Sequence, residues 1–254
     1  MEVFNLEKDT EEKDGVLYYK NKPFSGFGYL TDENGNKGEG NYVNGKRDGK
    51  WVDFDENGNI ESKEYWCNGE KKGEWIYYHK SGEISLKCIY VNGNLEGESS
   101  LYYENGQLES KGSFKENSMD GLWKNYNING QLVSEGIQKN DVSHGIWRIY
   151  YENGQLESEG SFKNGKREGL WKVYSENGQL QSEGNLKEGE KNGIWKYYHE
   201  NGQLESKGNY EGDIEHGVWG TYYENGQLRQ ETNYKDGRRD GLSKYYHENG
   251  ERYW

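Results

Sequence analysis

A glycine returns every 24 residues along most of this chain, at Gly49, Gly73, Gly97, Gly121, Gly145, Gly169, Gly193, Gly217 and Gly241. A chain with such a period builds one small unit and stacks copies of it, so the repeat decides the fold before composition is consulted. A degenerate earlier copy begins at Gly26, 23 residues before Gly49.

With that glycine as position zero, Trp holds plus two at Trp51, Trp75, Trp123, Trp147, Trp171, Trp195 and Trp219, and Ser99 and Ser243 break the row. Plus five is aromatic throughout, from Phe54 and Tyr78 to Tyr222 and Tyr246. Asn-Gly closes plus eight and nine in most copies, as in Asn153-Gly154, and Ile or Leu follows at plus eleven. Asn-Gly between two short runs predicts a hairpin with a type I′ turn. The run Leu156, Ser158, Gly160, Phe162, with Glu157, Glu159 and Ser161 between, alternates as a strand with one packed and one wet face. Glycine at plus fifteen leaves a gap that a neighbouring Trp ring would fill. A second turn, Asn164-Gly165, leads into the next copy.

Each unit thus reads as two strands and two turns. A lone hairpin is marginal in water, so stacking must supply the burial. The predicted fold is all-β: an elongated, single-sheet, solenoid-like ribbon of about ten stacked hairpins, about 95 Å long at 4.8 Å per strand. Trp at plus two and Tyr at plus five have opposite parity, and the pattern leaves open whether a bulge brings both inward. The expected layout is an acidic disordered tail at 1–14, a cap and degenerate repeat at 15–48, eight repeats at 49–240, and a partial repeat or cap at 241–254. Val16, Leu17, Tyr18, Phe24 and Phe27 are read as one cap, and Tyr245, Tyr246, Tyr253 and Trp254 as the other.

Composition agrees. Leu, Ile, Val and Phe make up roughly 16% of the chain, a level that signals disorder in a charged chain unless something else supplies a core. Here 9 Trp, 23 Tyr and 6 Phe do so, at about 150–250 Å² buried per ring. The absence of alanine argues against helical and doubly wound folds. No apolar run approaches the 18 or so residues of a spanning helix.

The unit Asn164-Gly165-Lys166-Arg167-Glu168-Gly169-Leu170-Trp171, with Tyr174 and Asn177-Gly178-Gln179-Leu180, resembles the MORN repeat (membrane occupation and recognition nexus), most closely its second, bacterial variant. Asp14-Gly15-Val16-Leu17-Tyr18-Tyr19 and Lys22-Pro23-Phe24-Ser25-Gly26 resemble the lead-in of bacterial proteins of this type, many classed as antitoxins of toxin–antitoxin systems. The resemblance spans about residues 15–254. It implies a non-catalytic binding scaffold and no catalytic motif.

Site chemistry is sparse. His79, His199 and His247 share plus six with Tyr103, Tyr151 and Tyr223. They lie copies apart, too far for one metal ion. Of the plus-six rings, Tyr103, Tyr151, Tyr223, His79 and His199 are the candidates for partner contact, because the rings at plus two and five read as core. Cys67 and Cys88 fall some 14 Å apart on the repeat geometry, beyond disulfide reach, and read as free thiols. Glu109, Glu157 and Glu205 at plus twelve, with Lys111, Glu159 and Lys207 at plus fourteen, read as a solvated face with modest cross-strand pairing. No phosphate loop or nucleophile elbow is present, and no cofactor or metal site is expected.

The net charge is −13, of which residues 1–14 carry about −4. That balance disfavours nucleic acid and anionic lipid and suits a basic protein partner drawn in by electrostatic steering. The expected function is a protein-binding scaffold, antitoxin- or immunity-like, that neutralises a partner by occlusion. The alternative is an exported or surface-associated, adhesin-like scaffold. As written the chain reads as cytoplasmic, and as exported if a signal peptide preceded Glu2.

Overall fold

The computed structural model describes residues 3–253. The chain is all-β apart from one short helix, Leu6–Asp9. It divides into two compact units, Met1–Gly130 and Gln131–Trp254.

In the second unit the strands run Leu132–Lys139, Val142–Tyr150, Leu156–Lys163, Lys166–Tyr174, Leu180–Lys187, Glu190–Tyr198, Leu204–Glu211, Ile214–Tyr222 and Leu228–Lys235. After the first, each pairs antiparallel with the one before it. The short strands Arg238–Arg239 and Lys244–Tyr245 finish the ladder. The first unit repeats the scheme from Gly26–Thr31 to Ser118–Tyr126.

The two turns of each repeat share a dipeptide and differ in kind. At Asn164-Gly165 both residues have positive φ, 52° and 77°, between the paired Lys163 and Lys166. This is the type I′ hairpin. At Asn153-Gly154 only the glycine does, at 82°, while Gly154 N–H donates to Tyr151 O and Tyr151 N–H to Gln155 O. That is a type I turn closed by a left-handed glycine, so the type I′ expectation for plus eight and nine is corrected. Asn153 is held out of the left-handed region by its own side chain, whose Oδ1 accepts from Gln155 N–H at 2.9 Å.

Between hairpins the register slips. Glu159 faces Lys172 but Ser161 faces Glu168, so one residue on the first strand opposes three on the next. The extra two are Gly169, at φ 73°, and Leu170. The bulge carries a new repeat into phase and pushes the side chain at plus one outward.

The parity question is settled by contacts. Trp171 lies over Gly160, where an added Cβ would fall 2.2 Å from its ring. Tyr174 instead donates its hydroxyl to Glu159, on the side of Lys172. Tyr150 and Tyr198 treat Glu135 and Glu183 likewise. Plus two and plus five therefore occupy opposite faces. The Trp face is the core, where Trp171, Leu186 and Trp195 form a buried cluster with Phe162, Tyr197 and Tyr210 against it.

The expected disordered tail is corrected from residue 3 onward. Phe4–Asn5 pairs parallel with Gly28 and Tyr29, and Asn5 accepts from Lys8 N–H to cap the helix. Leu6 is only 3% exposed and sits on Gly28 as Trp171 sits on Gly160. Leu6, Phe24 and Trp51 form one buried cluster with Phe4, Leu17 and Tyr19 against it. Glu11–Lys13, Val16–Tyr19 and Lys22–Pro23 make a small separate sheet. Composition alone marked this segment as solvated; its few apolar residues at Phe4 and Leu6 cover the first repeat. At the other end Tyr253 packs on His247 and Tyr245. Met1, Glu2 and the expected cap residue Trp254 lie outside the described residues.

Candidate interaction surface

The Trp face is committed to the stack. Trp75, Trp123, Trp147, Trp171, Trp195 and Trp219 each donate Nε1–H to a backbone carbonyl of the preceding repeat at 3.0 to 3.2 Å, those of Tyr65, Ser113, Ile137, Ser161, Asn185 and Asn209. The indole thus serves a carbonyl beside the register slip as well as filling the space over glycine. A cation four residues earlier lids several rings: Arg47 over Trp51, Lys71 over Trp75, Arg167 over Trp171 and Lys191 over Trp195, at 4.1 to 4.8 Å. Trp147 has Ser143 in that place and is left partly exposed.

The plus-six candidates are stitched into the same framework. Tyr103, Tyr151 and Tyr223 donate their hydroxyls to the carbonyls of Tyr126, Tyr174 and Tyr246. His79 and His199 reach Tyr102 O and Tyr222 O through Nε2 at 2.7 and 3.0 Å. Asn at plus eight adds a second stitch, with Asn153 Nδ2 donating to Glu176 O and Asn201 Nδ2 to Glu224 O. The polar atoms expected to greet a partner join one repeat to the next. Both cysteines are free thiols, Cys67 exposed and Cys88 buried. Burial pushes the Cys88 thiol up to about 11.

The opposite face is the open one. In the second unit its centre is a ladder of alternating charge: Arg148 lies 3.7 Å from Glu135 and 3.5 Å from Glu159, Lys196 lies 2.8 Å from Glu183, and Lys244 pairs with Glu231. Lysine hydrogen-bonded to Glu183 holds that carboxyl below the usual range. These half-exposed pairs give register more than stability, about 0–1 kcal/mol each. Beside them stands a row that the spacing of glycine and Trp did not flag. Ile146, Leu170, Ile194 and Val218, at plus one, are 51 to 61% exposed. They ride on the bulges, about 10 Å apart at two strand spacings. A depression of about 180 Å³ lies between Ile146 and Leu170, floored by Gly160 and rimmed by Glu159 and Lys172. Along one turn edge Glu152, Glu176, Glu200, Glu224 and Glu248 form an exposed carboxylate row with the same period. Both rows are visible in the sequence once plus one and plus seven are tabulated.

Among the described residues no three His, Cys, Asp or Glu side chains gather as metal ligands.

Arrayed hairpins of this kind are what the family comparison finds. The MORN repeat variant matches nine stretches: residues 47–68, 71–92, 95–116, 119–140, 143–164, 167–188, 191–211, 215–236 and 239–252. The chain belongs to that family, whose repeats form binding scaffolds. No curated protein matches it. Among solved structures, the crystal structures of TcdB2-TccC3-Cdc42 and TcdB2-TccC3 match at 11% identity and a TM-score of 0.22. They align with 88% and 85% of this chain, which spans only 15% and 14% of theirs. A likeness at that score carries no argument about fold or function.

Proposed function

We propose that the chain is a non-catalytic scaffold that binds a protein along the open face of its second unit and neutralises that partner by covering its working surface. The row Ile146, Leu170, Ile194, Val218 carries this reading. These aliphatic side chains stand half in water at one spacing, and a partner that buries the exposed half gains about 0.8–1.5 kcal/mol per side chain. Regular exposed apolar patches of this kind mark interaction sites. The carboxylate row at Glu152, Glu176, Glu200, Glu224 and Glu248 selects a basic partner and steers it in. The antitoxin-like role is what the resemblance of the repeats and their lead-in implies, and an open face of this kind is compatible with occlusion of a partner.

The test is assembly with the product of the adjacent gene. The parent chain is expected to form a complex and to protect cells from that product. The double variant Leu170→Asp, Ile194→Asp is expected to stay folded and lose both. Absence of a complex and of protection with the parent chain overturns the neutralising role. Full binding by the folded double variant overturns the assignment of the face.

A further inference from the structure

In the first unit a Trp place on the core face is left unfilled. Wherever glycine holds plus fifteen in a complete repeat, the next repeat lays a Trp over it: Gly112 under Trp123, Gly136 under Trp147, Gly160 under Trp171, Gly184 under Trp195, Gly208 under Trp219. At Cys88 the glycine is absent, and the next Trp is replaced by Ser99. Thr232 and Ser243 show the same exchange, but there the two hydroxyls close on each other at 2.8 Å. Cys88 and Ser99 do not close. Ser99 turns its hydroxyl to the carbonyl of Lys87 instead.

A cleft of about 190 Å³, open on one side, remains, lined by Leu86, Tyr90, Leu101, Phe114, Met119 and Trp123, with Cys88, Ser99 and Ser110 as its polar groups. A dry apolar cavity of about 150 Å³ is enough to take benzene. The flanking repeats show which group belongs there, since each fills the equivalent place with an aromatic ring. A Cβ at plus fifteen does not by itself bar a ring, since Trp75 is buried with Glu64 in that place. The volume sets the size: about 190 Å³ is close to the 150 Å³ or so that takes benzene and leaves room for one ring.

We infer that the slot between Cys88 and Ser99 is a binding site for a small uncharged molecule with a single aromatic ring. The site lies on the core face and is independent of the protein-binding reading above. An uncharged ring suits the lining, which is mainly apolar.

Fluorobenzene and indole added to the full-length chain test this. Fluorobenzene is expected to show saturable broadening of its ¹⁹F resonance and, at roughly ten times its Kd, to raise Tm by about 3 °C. Indole is expected not to bind the parent chain. Cys88→Gly, which widens the cleft by one side chain and places there the glycine of the five following repeats, is expected to admit indole. The double variant Cys88→Gly, Ser99→Trp copies the flanking repeats and is expected to abolish binding of both probes. Non-saturable broadening in the parent chain, or binding retained by the folded double variant, overturns the site. Indole bound equally by parent and Cys88→Gly overturns the size limit. If the double variant fails to fold, the parent titration and the Cys88→Gly gain decide.

Discussion

Gly160 and Trp171 belong to different repeats and share one packing site: the indole of Trp171 lies where the Cβ of any other residue at 160 would stand, 2.2 Å from its Cδ2. The same ring donates to Ser161 O at 3.2 Å and is covered by Arg167. Stacking in this family member is therefore a contact between a missing side chain and the largest one available.

Gly160→Ala is accordingly expected to destabilise by about 1–3 kcal/mol, as overpacking does, and Trp171→Ser by about 3–5 kcal/mol. Because the two act on one site, the double variant is expected to cost clearly less than the sum. Urea denaturation of the four chains measures the coupling, and strict additivity would show that the ring does not occupy the glycine site.

Trp147 lacks the cationic lid that four other indoles have. Ser143→Arg is expected to stabilise by about 0.5–1 kcal/mol through a stacked guanidinium. Arg167→Ala is expected to lose a similar amount over Trp171. Thermal midpoints of the two variants check both signs.

Tyr151→Phe removes the donor to Tyr174 O without changing shape. A loss of about 0.5–1.5 kcal/mol is expected, together with faster amide exchange around Gln155 and Glu176. Partner binding is expected to be unchanged, which separates this stitch from a contact residue.

Cys88 gives the fold a pH dependence at the alkaline end. Its thiol is raised to about 11 by burial, so the folded state holds the proton more tightly than the unfolded one. The contribution is fully present below the unfolded value near 9 and is lost as pH rises through 11. Tm of the parent chain is expected to fall further between pH 9 and 11 than Tm of Cys88→Ala. At pH 8 iodoacetamide is expected to label Cys67 first, since that thiol is exposed and Cys88 is buried.

Much of this was legible in residues. The recurrence of glycine, Trp, aromatic and Asn-Gly specified stacked hairpins, and glycine at plus fifteen announced the Trp above it. Less legible were features where one residue type serves two geometries. Asn-Gly forms type I′ at Asn164-Gly165 and type I plus a left-handed glycine at Asn153-Gly154, because loop length and the Asn153 side chain decide the turn. The acidic segment around Leu6 looked unstructured because its apolar side chains are few, yet the first repeat gives Phe4 and Leu6 a place to bury. The plus-six rings looked free because their acceptors belong to the next copy.

By itself the sequence determined a 24-residue all-β unit, its aromatic core and its repetition, since these follow from local periodicity and from side chains too bulky to leave in water. The tertiary structure decided which face each ring takes. A two-residue bulge at Gly169-Leu170 resets the register at every repeat. That slip sends Trp171 onto Gly160, turns Tyr174 to the charged side and lifts Leu170 into solvent. Register is a relation between strands, and no single strand contains it.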